Sequence, residues 1–450
     1  MGASVAGLCS ARVLSEFFDR VSVFDRDHLP DHAANRQAVP QGRHVHLLMA
    51  RGASEFETLF PGLLDDMVSA GVPILENRPD CIHFGAAGHV LGTNRRLTDG
   101  FTAYVPSRPH LEWQLRRRVL ALPNVEVTQR CVAEPTFDAS RQRVTGVRIN
   151  GAGLGRNDTV AADLVVDATG RGTRLPVWLR QWGFEPPAEH TVDVGIDYST
   201  HQVRIPDGLF EEKVVVAGAS RRHPVGLGML YYEDGLWGLT TFGTAWAQPP
   251  TDYAGMIALA EEILPRHVAA ALRRGEPTGE VARHRYPTSR WRRYDKLDRF
   301  PAGIIPLGDA VVSFNPTFGQ GMTMTSIQAA NLRAALQSGD PEPGRTFAQL
   351  TAKTTWPVWT MNAIGDLVLH NAAGPKPWWY RPVGTLFDQF LGAAESDPVL
   401  AEWFLRRFSL LDSLYMVPSA RLVGRTVRHN MRMWLRDRRA RPQRWRGTAA

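Results

Sequence analysis

The chain has 450 residues, 44% of them hydrophobic and 22% charged, which is enough to bury a sizeable core spread over two or three domains. Three cysteines, Cys9, Cys81 and Cys131, lack paired spacing, so neither a disulfide framework nor a metal site is expected, and free thiols suit a reducing cytoplasm. The net charge of +7 is arginine-rich and concentrated near the end, in "GRTVRHNMRMWLRDRRARPQRWRG". Such a tail can touch an acidic surface or the face of a membrane, although a solvated basic helix is its plainest form. No nucleic-acid module accompanies it, and nucleic-acid binding is not expected. The sequence shows no signal peptide and no unbroken apolar run of about 18 residues, which argues against secretion and membrane spanning.

The opening "MGASVAGL" has the form of a G-x-S-x-x-G turn, with Gly2, Ser4 and Gly7 in register. The first glycine permits a tight bend and the last a close approach of helix to strand. The helix amino-terminus then offers free N–H groups to a pyrophosphate. Such a turn ordinarily follows a buried strand, and only Met1 precedes it, so a natural start several residues upstream is expected. "SVAGLCSARVLSEFF" places Val5, Leu8, Cys9, Val13 and Phe17 near one helical face. "RVSVFDRD" follows as a parallel strand ending at Asp25, where a carboxylate can bind an adenosine ribose. "SRPHLEWQLRRRVLALP" reads as a helix, "VEVTQ" as a strand, and "RVTGVRI" and "ADLVVDATG" as an antiparallel excursion returning to the main sheet.

From about Thr191 to Trp246 the texture becomes β-rich, consistent with a second, mainly antiparallel sheet. "YAGMIALAEEILPRHVAAALRRG" is helical, and "GIIPLGDA" returns the chain to the first domain. After it, "VVSFNPTFGQGMTMTSIQAANL" carries Pro316 and a Gly319-Gln320-Gly321 turn into a helix. Asp309 at a strand end can bond a polyol chain. The glycine turn can bring backbone amides and a helix dipole to a flat, electron-rich ring. Beyond Gln349 the chain is Trp-rich and helical, expected to pack over the other domains.

Taken together, "GASVAG", "PQGRHVHLL", "LVVDATGRG" and "PLGDAVVSFNPTFGQGM" resemble the FAD-dependent monooxygenases of the aromatic-hydroxylase superfamily. The bacterial branch that includes polyether epoxidases is the most similar. The resemblance implies an α/β fold: a Rossmann-like, three-layer FAD-binding domain (1–190 and 281–345), an inserted β-sheet substrate domain (191–280) and a C-terminal helical region (346–450). It implies FAD contacts from Gly2, Ser4, Gly7, Asp25, Arg26, Arg43, Arg108, Val132, Asp309, Pro316, Gly319, Gln320, Gly321 and Met322. No side chain is assigned the chemistry, which the flavin carries.

With NADPH or NADH docking transiently and dioxygen as co-substrate, the implied reaction is epoxidation or hydroxylation through a flavin hydroperoxide. The second sheet should roof the pocket, with Met229, Tyr231, Trp237 and Phe242 as liners, while His44 and His46, flanking Arg43, are packing histidines or contacts to substrate or flavin. Such a wall suits an apolar polyketide, terpenoid or aromatic substrate. The Asp167-Ala168-Thr169-Gly170 fingerprint departs from the superfamily's frequent Asp-Gly and weakens any nicotinamide role for Asp167. The alternatives are an isoprenoid reductase or dehydrogenase on the same fold, and a degenerate homologue without catalysis. A halogenase lacks support, since there is no W-x-W-x-I-P stretch and no evident active-site lysine.

Overall fold

The computed structural model describes residues 1–76, 81–93, 102–150, 157–369, 372–374, 376–412, 415 and 417–440. Its architecture is mixed α/β. The nucleotide-type domain is built on parallel pairs, Val21–Asp25 with Val125–Gln129 and Val165–Asp167 with Ile304–Pro306. The first two residues link these pairs through the backbone. The Met1 amino group donates to Val166 O at 2.8 Å, Ala168 N donates to Met1 O at 3.0 Å, and Gly2 N donates to Phe24 O at 2.8 Å. The opening helix, Val5–Leu14, buries Val5, Leu8, Cys9 and Val13 against the long helix Gly321–Gln337. Phe17 lies beyond the helix end and is exposed, because the chain turns after Leu14. The strands Val132–Asp138, Arg143–Asn150 and Asn157–Ala161 form the expected antiparallel excursion.

Among the described residues the second sheet has eight strands. In spatial order they are Val312–Ser313, Glu276–Arg292, Glu189–Arg204, Leu236–Gly243, Val225–Tyr231, Val214–Ala217, Ile82–Ala86 and His89–Val90. All neighbours are antiparallel except Val214–Ala217 with Ile82–Ala86. The sheet therefore draws strands from three stretches of chain. The strand Glu276–Arg292 stays in this sheet along its length, with register shifts opposite Asp193–Ile196 and Thr200–Gln202, which moves the second boundary from 280 to beyond Arg292. The segment Ile82–Val90, which the sequence grouped with the first domain, extends the far edge of the sheet.

Strand alternation decides what each face of this sheet does. Residues directly opposite one another share a face, so Leu227, Met229, Trp237 and Leu239 fall together with Val203 and Val215. That face packs on the helices Tyr253–Ile263 and Arg266–Leu272, through Met256, Ala260, Val268 and Leu272. The expected single helical run is broken there by Pro265, whose ring cannot continue the first helix. The opposite face, carrying Tyr198, Thr200, Gly228, Leu230, Thr240 and Phe242, turns to the nucleotide-type domain. No helix of the described residues is long and apolar enough to cross a membrane.

Candidate active site

A cleft of about 880 Å³ runs between the two domains. One end is formed by Gly2, Ser4, Asp25, Arg26, Arg130, Cys131 and Val132. Its middle carries Arg108, Asp309 and the Pro316–Gly319 loop with Gly321 and Met322, and its far end is the inner face of the eight-stranded sheet. It is shaped by local chain chemistry at the first end. Gly2 has φ of +93°, and a Cβ there would meet Ala168 O at 2.6 Å. A Cβ on Gly7 would fall 1.8 Å from Gly2 O, so the helix can sit on the turn only with glycine at that position. Asp25 closes the turn from the side, accepting from Ala3 N at 2.6 Å and from Asp27 N at 2.8 Å.

Ser4 precedes the helix but its hydroxyl does not cap it. It donates instead to Glu112 Oε2 at 2.8 Å and accepts from Arg108 Nη2 at 2.9 Å. Glu112 is buried and also receives Arg36 Nε at 2.7 Å, with Arg108 at 3.8 Å and Arg116 at 3.9 Å, so three arginines surround one carboxylate beneath the turn. The uncapped first turn is left with N–H groups facing the cleft, which suits an anionic ligand. Arg108 itself is buried at the cleft wall, and its Nε has no hydrogen-bond partner among the described residues. The guanidinium as a whole lines the cleft beside the first turn, where its charge favours an anionic ligand.

Asp309 sits on the wall beyond Arg108. Desolvation raises its carboxyl above the usual range, opposed by the charges of Arg108 and Arg171, a hydrogen bond from Gln41, and the charge of Arg292. Past it, Asn315 holds the loop by accepting from Thr317 N at 2.9 Å and donating to Asp366 Oδ1 at 2.7 Å. Gly319 then takes φ of +68°, a left-handed turn that glycine adopts at no steric cost, and the helix begins at Gly321.

On the sheet, two rungs cross the cleft. Phe84, Val216, Gly228, Thr240 and Thr200 lie opposite one another across five strands. The next rung is Phe242, Tyr198 and His284. His44 stands over them from the other domain: its Nδ1 lies 2.8 Å from Thr200 Oγ1, which is itself 2.6 Å from Thr240 Oγ1. The His44 ring meets Tyr198 edge-on at 4.4 Å. Burial drives the His44 pKa down to about 3, with the neighbouring His46, His284 and Arg43 charges adding to the shift. Burial likewise lowers His46, to about 4. Its Nδ1 is 2.9 Å from the His44 carbonyl, which can only accept, so the neutral ring presents an unprotonated Nε2.

These neutral histidines link stability to pH. The unfolded chain takes up their protons below about pH 6.5 while the folded chain does not, so their contribution is full above that pH and falls toward pH 4 and 3. Replacing His44 with Gln should make the acid limb of a urea-midpoint-against-pH profile shallower between pH 6.5 and 4, by up to about 1.4 kcal/mol per pH unit. An unchanged slope would mean that His44 is not held neutral.

Of the residues expected from sequence, Gly2, Ser4, Asp25, Arg26, His46, Arg108, Val132, Phe242, Asp309, Pro316, Gly319, Gly321 and Met322 line the cleft. Gly7 supports the turn from behind. Arg43 does not reach it: the short helical turn Pro40–Arg43 directs Gln41 and, just after it, His44 inward and leaves Arg43 exposed. Gln320 faces away, donating to Phe408 O at 3.0 Å and accepting from Asn362 Nδ2 at 2.8 Å, and so ties the loop to the C-terminal helices. Met229, Tyr231 and Trp237 lie on the opposite face of the sheet, where Trp237 packs on Phe210 and Tyr231. His44, which with His46 flanks Arg43 in the sequence, also lines the cleft, whereas the sequence reading missed Gln41, Arg171, Tyr198, Thr240, His284 and Tyr286. Arg171 lies 4.2 Å over the Tyr286 ring and donates to Thr288 O at 2.7 Å.

Over almost its whole length the chain is similar to a curated protein. It is 65% identical over 452 residues to Protein Rv3254 of Mycobacterium tuberculosis, covering 98% of this chain and 95% of the relative. A family model described as the Mycobacterium Rv3254 C-terminal domain matches residues 374–440. Among solved structures, the flavin-dependent brominase Bmp2 superposes with a TM-score of 0.65 at 14% identity, over 97% of this chain and 98% of that one. The anhydrotetracycline hydroxylase OxyS of Streptomyces rimosus gives a TM-score of 0.58 at 20% identity, over 93% and 76%. The likeness to these structures is one of fold.

Proposed function

Because the chain belongs to the family of Protein Rv3254 and has the fold of flavin-dependent monooxygenases, we propose that it binds FAD in the interdomain cleft and oxygenates an apolar small molecule. The overall change would be substrate, dioxygen, NAD(P)H and a proton giving oxygenated product, water and NAD(P)⁺. The observation that carries this reading is the uncapped glycine turn at Gly2–Gly7, which shares one cleft with Asp25, Arg108, Asp309 and the Pro316–Gly319 loop. FAD, when bound, relays electrons from the nicotinamide to dioxygen; everything else falls to the protein.

The uncapped first turn and Arg108 would hold the pyrophosphate. Asp25, Arg26 and Val132 would receive the adenosine, and Asp309 the ribityl chain. The loop from Pro316 to Met322 would lie along the ring. Phe84, Leu230, Phe242, Phe314 and Phe408 exclude water from the far end, which protects reactive species and favours an apolar substrate. Against that wall the His44–Thr200–Thr240 chain is an uncharged polar spot, able to orient a hydroxyl or carbonyl on a polyketide, terpenoid or aromatic compound. No lysine lines the cleft among the described residues, which favours oxygen transfer over halogenation.

The test is oxygen uptake by the FAD-loaded protein with NADPH or NADH and a panel of such compounds. Nicotinamide oxidation matched by dioxygen uptake, with one labelled oxygen in the product as an alcohol or epoxide, is the expected result. Nicotinamide oxidation and substrate reduction without dioxygen uptake would make the protein a reductase instead.

A further inference from the structure

The helix Ala420–Ala440 has two sides that differ in what they do. One side anchors it. Leu422 is buried in a cluster with Phe84, Phe390, Leu400 and Phe404. Arg425 makes a two-pronged pair with Asp397 at 2.6 and 2.8 Å, and His429 Nδ1 lies 3.1 Å from Ser396 Oγ. The other side is largely exposed to solvent. Val423, Val427, Met431, Trp434 and Leu435 are each between 46% and 59% exposed. Their spacing of four, four, three and one places them within about a third of the helix circumference.

Beside that stripe runs a row of exposed arginines, Arg421, Arg428, Arg432 and Arg436. Residues 420–450 hold ten arginines and one aspartate, more positive charge than the whole chain's +7, so the remainder is slightly acidic. A basic row bordering an apolar stripe on a helix fixed by its back is the arrangement that lies in a lipid interface. The apolar side chains enter the acyl boundary and the cations meet anionic headgroups. A nucleic acid would use the arginines and leave the stripe in water. A neutral protein partner would use the stripe and leave the charge unmatched.

We propose that the helix Ala420–Ala440 docks the protein on the surface of an anionic phospholipid bilayer through this stripe and its arginine border. The Leu422 cluster also contains Phe84, which lines the apolar end of the cleft and packs on Phe408 at 5.5 Å. The docking helix and the cleft wall thus share one packed cluster. The docking does not depend on the flavin reading, and its test measures neither flavin nor turnover.

The experiment is cosedimentation of the full chain with vesicles of phosphatidylcholine alone and of phosphatidylcholine mixed with phosphatidylglycerol. The chain is expected to pellet with the mixed vesicles and not with the neutral ones. Two double variants at exposed positions, Val427→Asp with Met431→Asp and Arg428→Glu with Arg432→Glu, should each lower partitioning by about tenfold or more, with the thermal midpoint unchanged. A chain that stays in the supernatant with mixed vesicles overturns the proposal. So does loss in the charge variant with none in the apolar variant, since the stripe is then not in the lipid. A dimer split by Val427→Asp with Met431→Asp, or retention on duplex DNA, without vesicle binding would assign the surface to a second copy or to nucleic acid and also overturn it.

Discussion

Arg108→Met is expected to cost about 3 kcal/mol of flavin affinity, about a hundredfold in Kd, because a buried and partly paired charge is removed from between two carboxylates. Arg108 Nη2 donates to Ser4 Oγ at 2.9 Å and stands 3.8 Å from Glu112 Oε2, while its charge opposes the raised carboxyl pKa of Asp309. Methionine fills much of the same volume, so the packing loss is small and the missing guanidinium dominates. Glu112 keeps Arg36 at 2.7 Å, which is why the variant should still fold. Arg108→Lys should recover only part of the affinity, since an ammonium keeps the charge without the planar fork that can serve Ser4 and a ligand at once. Titration of FAD into the apo forms, followed by flavin fluorescence, measures all three. Equal affinities would remove Arg108 from the cofactor site.

Gly7→Ala should be as damaging by a different route. The added Cβ would lie 1.8 Å from Gly2 O and 2.7 Å from Gly2 C, contacts with backbone that no rotamer can relieve. The opening helix must therefore shift off its turn, carrying the first-turn amides and Ser4 away from the cleft. Overpacking of this kind costs about 1–3 kcal/mol in stability. The geometric loss at the pyrophosphate site should be larger still, leaving a folded protein that retains little or no flavin. The paired readout is bound FAD per chain against far-ultraviolet circular dichroism. Full flavin content with an unshifted thermal midpoint would show that the turn does not carry the cofactor.

The parts of this site that were legible in the sequence are those whose geometry is set within a few residues. The Gly2–Gly7 turn, Asp25 at a strand end, and the Asp309 to Met322 strand-loop-helix each carry their own conformational signature, and all reach the cleft. The parts that were not legible depend on pairing across distant chain. Tyr198, Thr240 and His284 meet only because Leu236–Gly243 and Glu276–Arg292 flank Glu189–Arg204 in one register. The choice of Met229, Tyr231 and Trp237 as liners failed on parity. They alternate with Gly228, Leu230 and Thr240, and an apolar strand buried on both faces gives no sign of which set faces a ligand. Arg43 failed more locally, since a step of one residue to His44, or two back to Gln41, exchanges outward for inward along the turn Pro40–Arg43. The strand Ile82–Ala86 was missed because its partner, Val214–Ala217, lies more than 100 residues further along the chain.

The most direct test of the account is the flavin content of the purified chain after equilibration with FAD and removal of the excess, read from its visible absorption spectrum. One FAD per chain, lost in Arg108→Met and Gly7→Ala, is the predicted result. A colourless chain that takes up no FAD, though folded by circular dichroism, would contradict it and leave the cleft without its cofactor.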